Sequence, residues 1–251
     1  MSENRGWLLL TNDDGIDAYG IHILEQILRE FSDDITIVAP SADQSGKGRA
    51  LSLRTDISFT KRDEKHYAVG GTPADCIMIA LNVLFKDSPP DFVVSGINHG
   101  MNVADDVGYS GTVGAALEAA IVGISAIAVS QKNGSDEAAF EAVRQTGAAV
   151  MKAAFETVLP QRTILNVNFP AQNASPVKGI RPALLDKHKF SDEILTGSVP
   201  DTYRIGPQIP YEETLAFSDR YWLNKGYVSF TPLGMDVTAH NEMVRISADN
   251  F

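Results

Sequence analysis

Leu8-Leu9-Leu10-Thr11-Asn12-Asp13-Asp14-Gly15 is an apolar run that stops abruptly at two adjacent carboxylates and a glycine. The run predicts a buried strand that delivers a charged pair to a loop. In α/β proteins, ligands bind in the loops at the carboxyl ends of parallel strands, so two acids at such an end indicate a metal or phosphate site. Asn-Asp-Asp-Gly is also the composition of an ordinary turn, and these four residues alone leave both interpretations open.

Composition limits the class of protein and the partners. A chain of 251 residues with 44% hydrophobic residues can bury a sizeable core, as one large α/β domain or two small ones. The formal net charge of -11 argues against binding to a nucleic-acid polymer, because such binding needs clustered Lys and Arg to neutralise phosphates. Small anionic substrates remain compatible with this charge if a metal ion supplies local positive charge.

The cysteine content and the apolar runs limit the cellular setting. A single cysteine, Cys76, allows no internal disulfide and no Cys-rich zinc site, and its apolar neighbours predict a buried thiol. Residues 1–6 lack the cationic stretch and apolar core of a secretory signal. No apolar run approaches the roughly 20 residues that span a bilayer. We therefore expect a cytoplasmic protein with no membrane partner.

The chain alternates apolar runs with segments of helical periodicity, which is typical of βαβ units in a parallel sheet. We predict a Rossmann-like α/β fold, with a mostly parallel sheet and helices on both faces. Predicted strands cover 8–11, 35–39, 51–53, 57–59, 67–69, 91–95, 124–130, 164–169 and 227–231, and predicted helices cover 21–31, 73–85, 113–122 and 137–159. The strand at 164–169 is expected to be the last of the main sheet, and Thr72 is expected to cap the second helix.

Beyond Pro170 the periodicity weakens, and prolines, aromatics and charges mix. We therefore predict a single domain over 1–251, with a core at about 1–170 and 227–251. The segment at about 171–226 is expected to be an irregular extension used in oligomerisation.

Three predicted strand ends carry oxygen-bearing side chains toward one edge of the sheet. The first carries Asp13 and Asp14, the second is followed by Ser45, and the strand at 91–95 is followed by Asn98 and Asn102. This oxygen-only set suits Mg²⁺, Mn²⁺ or Ca²⁺ better than zinc. No G-x-G-x-x-G follows the first strand, so a nicotinamide cofactor is not expected.

Several motifs in order along the chain resemble one known family, the stationary-phase survival protein SurE family of metal-dependent nucleotidases. They are Thr11-Asn12-Asp13-Asp14-Gly15, Ala39-Pro40 with Gln44-Ser45-Gly46, Gly71-Thr72-Pro73-Ala74-Asp75-Cys76, Ser95-Gly96-Ile97-Asn98 with Gly100 and Asn102, Tyr109-Ser110-Gly111-Thr112, and Thr231-Pro232-Leu233 with Asp236 and His240. Each motif is weak alone, and together they are specific. One departure is Tyr19, where the family usually has proline.

The resemblance implies a site. One divalent ion per subunit, Mg²⁺ or Mn²⁺ with Ca²⁺ as a substitute in crystals, would be bound by Asp13, Asp14, Ser45 and Asn98. The phosphate would be held by Asn12, Asn102, Ser110, Gly111 and Thr112, the last group at a helix N-terminus that favours an anion. Family members form homodimers or homotetramers by exchanging C-terminal segments, so the same is expected here.

The implied activity is that of a 5′-nucleotidase, an acid-type phosphatase that hydrolyses nucleoside 5′-monophosphates, with 3′-monophosphates and short polyphosphate as further candidate substrates. Asp13, Asp236 and His240 would be the catalytic residues, with His240 protonating the leaving oxygen. The spacing of Asp236 and His240 alone favours an ordinary surface pair. The alternative function is a non-catalytic, metal-dependent nucleotide sensor on the same fold.

Overall fold

The structure is a computed structural model that describes residues 4–131, 140–171, 176–188, 193–206 and 214–243. Its strands are β1 (Leu8–Thr11), β2 (Ile35–Pro40), β3 (Phe59–Lys61), β4 (His66–Val69), β5 (Phe92–His99), β6 (Ser125–Gln131), β7 (Thr163–Phe169), β8 (Ile180–Pro182), β9 (Ile194–Thr196), β10 (Tyr203–Ile205) and β11 (Val228–Gly234). The α-helices are α1 (Tyr19–Leu28), α2 (Pro73–Ile79), α3 (Gly111–Ile121), α4 (Glu141–Glu156) and α5 (Asp219–Asn224). A π-helical turn at Ala80–Leu84 follows α2, and a 3₁₀ turn at Ala104–Gly108 precedes α3.

Within the described ranges, nine strands form one sheet in the order β3-β4-β2-β1-β5-β6-β7-β11-β8, and β9 and β10 form a separate hairpin. The strands from β4 to β7 in this order are parallel, and β11 runs antiparallel to β7. The predicted mostly parallel α/β sheet is confirmed.

β1 lies in the interior of the sheet because its residues are apolar on both faces. Leu8, Leu9 and Leu10 have no exposed surface, as expected of a strand covered on both sides. Thr11 lies level with Ser95 of β5, so the loops that follow these two strands leave the sheet at the same edge. We call this the carboxyl edge.

Two hydrophobic clusters cover the two faces. One contains the buried residues of α1 and α4, including Leu24 and Val150, and the other contains those of α2 and α3, including Ile77 and Ala116. Helices on both faces are therefore confirmed. Thr72 caps α2 as predicted, in a capping box in which its hydroxyl accepts from the Asp75 amide and the Asp75 carboxylate accepts from the Thr72 amide.

Several predicted boundaries differ from the structure. The segment 51–53 is not a strand, while β3 and β4, close to the predicted strands at 57–59 and 67–69, form an antiparallel pair at the edge of the sheet. The second helix was expected to continue to residue 85 as an α-helix, but α2 gives way to the π-helical turn at Ala80–Leu84. The fourth helix starts at Glu141, and the first residues of its predicted range, 137–139, lie outside the described residues.

The expectation that β7 is the last strand of the main sheet is wrong. β11 pairs with β7, and β8 adds to β11 at the sheet's end. β8 belongs to the segment assigned to the extension, so this part of the extension is hydrogen-bonded into the sheet. Hydrophobic periodicity could not predict this, because β8 has three residues, and two of them are exposed.

Candidate active site

Asp13 and Asp14 lie where β1 ends at the carboxyl edge, and both are largely removed from solvent. Asp13 is 4% exposed, and it accepts a hydrogen bond from the Thr112 hydroxyl on α3. One oxygen of Asp14 accepts from the backbone amide of His99 at 3.2 Å, and the other lies 3.5 Å from His99 Nδ1. The two neighbouring strands β1 and β5 thus meet through this carboxylate.

Burial raises the pKa of both carboxyl groups, since a low dielectric disfavours the charged form. For Asp13 the hydrogen bonds from the hydroxyl and backbone amide of Thr112 oppose this rise without cancelling it. For Asp14, burial and then the adjacent charge of Asp13 raise the pKa to about 7. The charge of Asp43 raises the pKa of both groups further.

The first turn of α3 approaches Asp13 very closely, and only glycine permits this. A Cβ atom added to Gly111 would lie 2.8 Å from the Asp13 Cβ and 2.9 Å from its Oδ2. Ser110 caps the helix, because its hydroxyl oxygen accepts from the amide of Val113. The N-terminus of an 11-residue helix is therefore directed toward the acidic pair.

The loop after β2 reaches the same place. The Gln44 amide donates to the backbone carbonyl of Asp13 at 2.7 Å, which fixes the loop beside the acidic pair. Ser45, the next residue, is exposed, and its hydroxyl donates to Asp43 Oδ1 at 2.6 Å. The Ser45 oxygen thereby keeps its lone pairs for another ligand.

Asn98 comes from β5, after a register shift between Ser95 and Asn98. Its side-chain nitrogen donates to the Gly100 carbonyl at 2.8 Å, so its side-chain oxygen is the atom left to act as a ligand. A Cβ atom added to Gly96 would lie 2.2 Å from the Val129 carbonyl oxygen, so the irregular segment packs closely against β6.

These residues fit a hard divalent cation. Asp13 and Asp14 are adjacent buried acids with raised pKa values, and a cation between them would favour their charged forms. In the ranges the structure covers, no group of three or more His, Cys, Asp or Glu side chains is placed to hold a metal. A cation at this edge would therefore need the neutral oxygens of Ser45 and Asn98 beside the two carboxylates, a donor set that suits Mg²⁺ or Mn²⁺.

Three of the residues predicted to hold phosphate are engaged with the protein itself. The Asn12 side-chain nitrogen donates to the Gly15 carbonyl and its side-chain oxygen accepts from the Gly15 amide, so both polar atoms of the side chain stabilise the turn. Asn102 is buried, and its side-chain nitrogen donates to the Ser130 hydroxyl. Thr112 is bonded to Asp13 through its hydroxyl and its backbone amide. Ser110 and Gly111 are the predicted phosphate residues that lie at the tip of α3.

Asp236 and His240 form the predicted pair, with His240 Nε2 and Asp236 Oδ2 2.7 Å apart. The structure does not bring this pair to the carboxyl edge of the same chain. β11 is antiparallel, its last residue Gly234 is level with Thr163 at the start of β7, and the Met235 amide bonds to the Arg162 carbonyl. Asp236 thus follows the strand at the opposite edge, which we call the amino edge.

The sequence did not predict the partners that position the site. His99 contacts Asp14, and Asp43 orients Ser45. Asn166 and Asn168 of β7 donate to the Asn102 carbonyl and so hold the loop between β5 and α3. The one available signal was the alternation of asparagines in the otherwise apolar run Leu165-Asn166-Val167-Asn168, since buried amides need partners.

The protein has an α/β fold with an open, mostly parallel sheet. At the carboxyl edge of this sheet, acidic and other oxygen-bearing side chains face a helix N-terminus, an arrangement that suits a metal ion and a phosphate. A family model described as Survival protein SurE matches residues 8–192. The chain belongs to the SurE family.

Similar proteins match over almost the full chain. The 5′-nucleotidase SurE of Erythrobacter litoralis is 40% identical over 241 residues, covering 93% of this chain and 95% of that protein. The 5′-nucleotidase SurE of Vibrio cholerae serotype O1 is 38% identical over 240 residues, covering 94% of each chain. The crystal structure of the SurE protein from Aquifex aeolicus superposes with a TM-score of 0.84 at 33% identity, covering 97% of this chain and 99% of that chain.

None of the helices within the described residues is long and apolar enough to cross a membrane.

Proposed function

We propose that this protein is a metal-dependent phosphatase that hydrolyses nucleoside 5′-monophosphates to nucleoside and phosphate. The observation that carries the proposal is the contact of the buried Asp13 with the first turn of α3. In this contact two adjacent buried carboxylates lie next to a helix N-terminus, and a phosphate ester with its metal ion requires both kinds of group together, which supports the proposal. The names of the relatives, 5′-nucleotidase SurE, support the substrate class.

Asp13, Asp14, Ser45 and Asn98 would hold the divalent ion, with Mg²⁺ or Mn²⁺ as the candidates and one ion per chain. When bound, this ion supplies Lewis-acid activation and neutralises charge on the phosphate. The chain's own groups orient the substrate. The amide of Gly111 at the tip of α3 binds a phosphate oxygen, and the Ser110 hydroxyl, which uses an acceptor position for the Val113 amide, still carries a proton to donate. Thr112 holds Asp13 in position.

The test is phosphate release from a panel of nucleoside 5′- and 3′-monophosphates and short polyphosphate with Mg²⁺ or Mn²⁺, for the wild type and for Asp13→Asn. We expect the variant to lose on the order of a hundredfold or more, because metal-ion stabilisation of the transition state is worth several kcal/mol. The exposed Asp56→Asn is the matched control and should retain activity.

Metal binding should be followed separately, by the rise in melting temperature when Mn²⁺ is added. The rise should be present in the wild type and in Asp56→Asn, and absent in Asp13→Asn. Full activity in Asp13→Asn would refute the proposed metal site. Tight nucleotide binding by the wild type without any turnover would instead support the alternative, a non-catalytic sensor.

The proton-transfer role of Asp236 and His240 stays a prediction. Because the pair follows β11 at the amino edge of its own chain, this role requires the pair of a second chain, as in a homodimer or homotetramer with exchanged C-terminal segments. The test is to mix inactive Asp13→Asn with His240→Ala. If the pair acts across chains, mixed oligomers contain one site with both residues intact and recover activity; if the pair acts within a chain, mixing recovers nothing.

A further inference from the structure

A cavity of about 390 Å³ lies beside Asp13 and Asp14. None of the roles proposed above uses this cavity. Asp14 and His99 form one wall, and the turn from Gly15 to Tyr19 and the start of the loop after β2 form the others. Its volume falls in the range of about 300–1,000 Å³ that is typical of small-molecule sites. Because Asp14 belongs both to the acidic pair and to this wall, a ligand held at the pair can extend directly into the cavity.

The walls disfavour an anion and suit an uncharged group with hydroxyls. Asp14 and Asp17 both line the cavity, and carboxylates accept hydrogen bonds from hydroxyl and amino groups. The Asp17 side chain is 80% exposed at the rim, with its carboxylate 3.7 Å from Arg62 Nη2. Asp17 would repel a phosphate in this cavity, so the phosphate would stay at the tip of α3, whereas the hydroxyls of a sugar can donate to the Asp17 carboxylate.

Two further groups in the walls point to a flat, polar ring as the ligand. Tyr19, the first residue of α1, is 54% exposed although it lies at a concave site. An aromatic side chain in that position offers a face on which a nucleobase can stack. The ring of His99, whose side chain is 18% exposed, lines the same cavity as a second ring.

A second cavity lies far from the acidic pair. It has a volume of about 260 Å³ and is lined by Phe92, Ser125 and Thr163, the first residues of β5, β6 and β7. It therefore lies at the amino edge, on the far side of the sheet from Asp13.

We propose that the cavity between Asp14 and Tyr19 is the nucleoside subsite, with the base stacked on the Tyr19 ring and the ribose hydroxyls facing Asp17. This inference rests on the proposed function, since it assigns a place to the nucleoside of the same substrate. It makes Tyr19 a residue that distinguishes nucleotides from other phosphate monoesters.

The experiment compares kcat/KM for AMP and for ribose 5-phosphate, which carries the same phosphate and sugar but no base. We expect Tyr19→Ala to lower kcat/KM for AMP about tenfold, the usual effect of losing one base–aromatic stack, and to leave ribose 5-phosphate unchanged. Tyr19→Phe, which keeps the ring, should behave as the wild type. Tyr203→Ala is the control, since Tyr203 is 69% exposed in β10 and does not line the cavity.

Calorimetric binding of adenosine keeps the inference testable if no phosphate is released at all. Weaker adenosine binding by Tyr19→Ala than by Tyr19→Phe would support the subsite, even if the absence of turnover refuted the phosphatase function. Equal losses on AMP and ribose 5-phosphate, or equal adenosine binding by the two variants, would overturn the subsite while leaving the phosphatase function standing.

Discussion

The carboxyl edge and the amino edge of the sheet each carry a close pair of titratable side chains, and the two pairs have opposite electrostatic environments. Asp13 and Asp14 are buried, and burial raises both pKa values, that of Asp14 to about 7. Asp236 and His240 have side chains that are 61% and 71% exposed. Hydrogen bonds from Thr238 and from His240 lower the pKa of Asp236 to about 2.

The comparison shows that burial, more than residue type, separates the proposed cation site from a hydrogen-bonded surface pair. Asp236 already has its partners and is hydrated, so it needs no further cation. Asp13 and Asp14 carry like charges in a poorly solvated place, and a divalent ion would relieve both the burial penalty and the repulsion. The same aspartate side chain therefore has opposite pKa shifts at the two edges.

Gly111→Ala should give the largest effect, because it breaks the packing that buries the acidic pair. The new methyl group would meet the Cβ and Oδ2 of Asp13 at 2.8 and 2.9 Å, so either α3 or the carboxylate must move. We expect phosphate release to fall about a hundredfold, as a displacement of about 1 Å at a reacting centre can cost that much. Overpacking should also lower the free energy of unfolding by about 1–3 kcal/mol.

The matched control is Gly108→Ala, since a Cβ atom at Gly108 meets nothing within 4 Å. Activity and urea denaturation should be measured for both variants. If the two glycine variants lose activity equally, the close approach of α3 to Asp13 is not what positions the site.

Asp75→Asn tests whether hydrogen bonds can outweigh the effect of burial on the pKa of a carboxyl group. We expect its effect on the free energy of unfolding to be intermediate. Asp75 is 2% exposed, and burial by itself would raise its pKa, but hydrogen bonds from Ser52 and Thr72 outweigh burial and lower it. A depressed pKa in the folded state stabilises the protein above the unfolded value of about 3.9, and this contribution is lost as the pH falls through the folded value.

We therefore expect Asp75→Asn to lower the free energy of unfolding at pH 7 by about 1–2 kcal/mol, the usual cost of a lost helix cap. The difference from the wild type should shrink as the pH falls below about 4. Urea denaturation from pH 7 to pH 3 measures this, with the exposed Asp56→Asn as the control. A difference that stays constant with pH would contradict the assignment of a lowered pKa to Asp75.

Asp236→Asn should give the smallest effect on stability, because exposed ion pairs contribute little. The pKa of Asp236 is shifted downward, as is that of Asp75. Any stabilisation is therefore present at neutral pH and is lost as the pH falls toward 2. We expect the melting temperature at pH 7 to change by less than about 2 °C. A larger drop that depends on protein concentration would indicate that the pair lies in an interface between chains.

Much of the fold could be predicted from the sequence, because hydrophobic periodicity reports which residues are buried. β1, β2 and α3 lie close to their predicted ranges, and Thr72 caps α2. The antiparallel direction of β11 could not be predicted. The residues after Tyr227 predict a strand, but their pattern does not indicate its direction or which strand it pairs with. The direction matters, since it moves Asp236 and His240 from the predicted site to the opposite edge.

Part of the candidate site, like part of the fold, could be predicted from the sequence, and the rest could not. Asp13, Asp14, Ser45 and Asn98 could be named from the order of strands and loops, since parallel strands of one sheet end at one edge. The roles of Asn12, Asn102 and Thr112 depend on which atoms they contact, and the structure directs all three toward the protein itself. A side-chain type in a motif does not indicate where its hydrogen bonds go.

Local sequence is sufficient for the strand that leads to Asp13 and Asp14, for the helix predicted at 113–122, and for the acidic character of the site, because these depend on neighbours in the chain. Their consequences depend on long-range packing. The raised pKa of Asp14 needs the burial that the folded protein imposes on it. The close approach to Asp13 needs α3 docked against β5 and β6, and the cavity beside Tyr19 needs three separate segments to meet. Burial and distance are properties of the packed chain, and only the folded arrangement sets them.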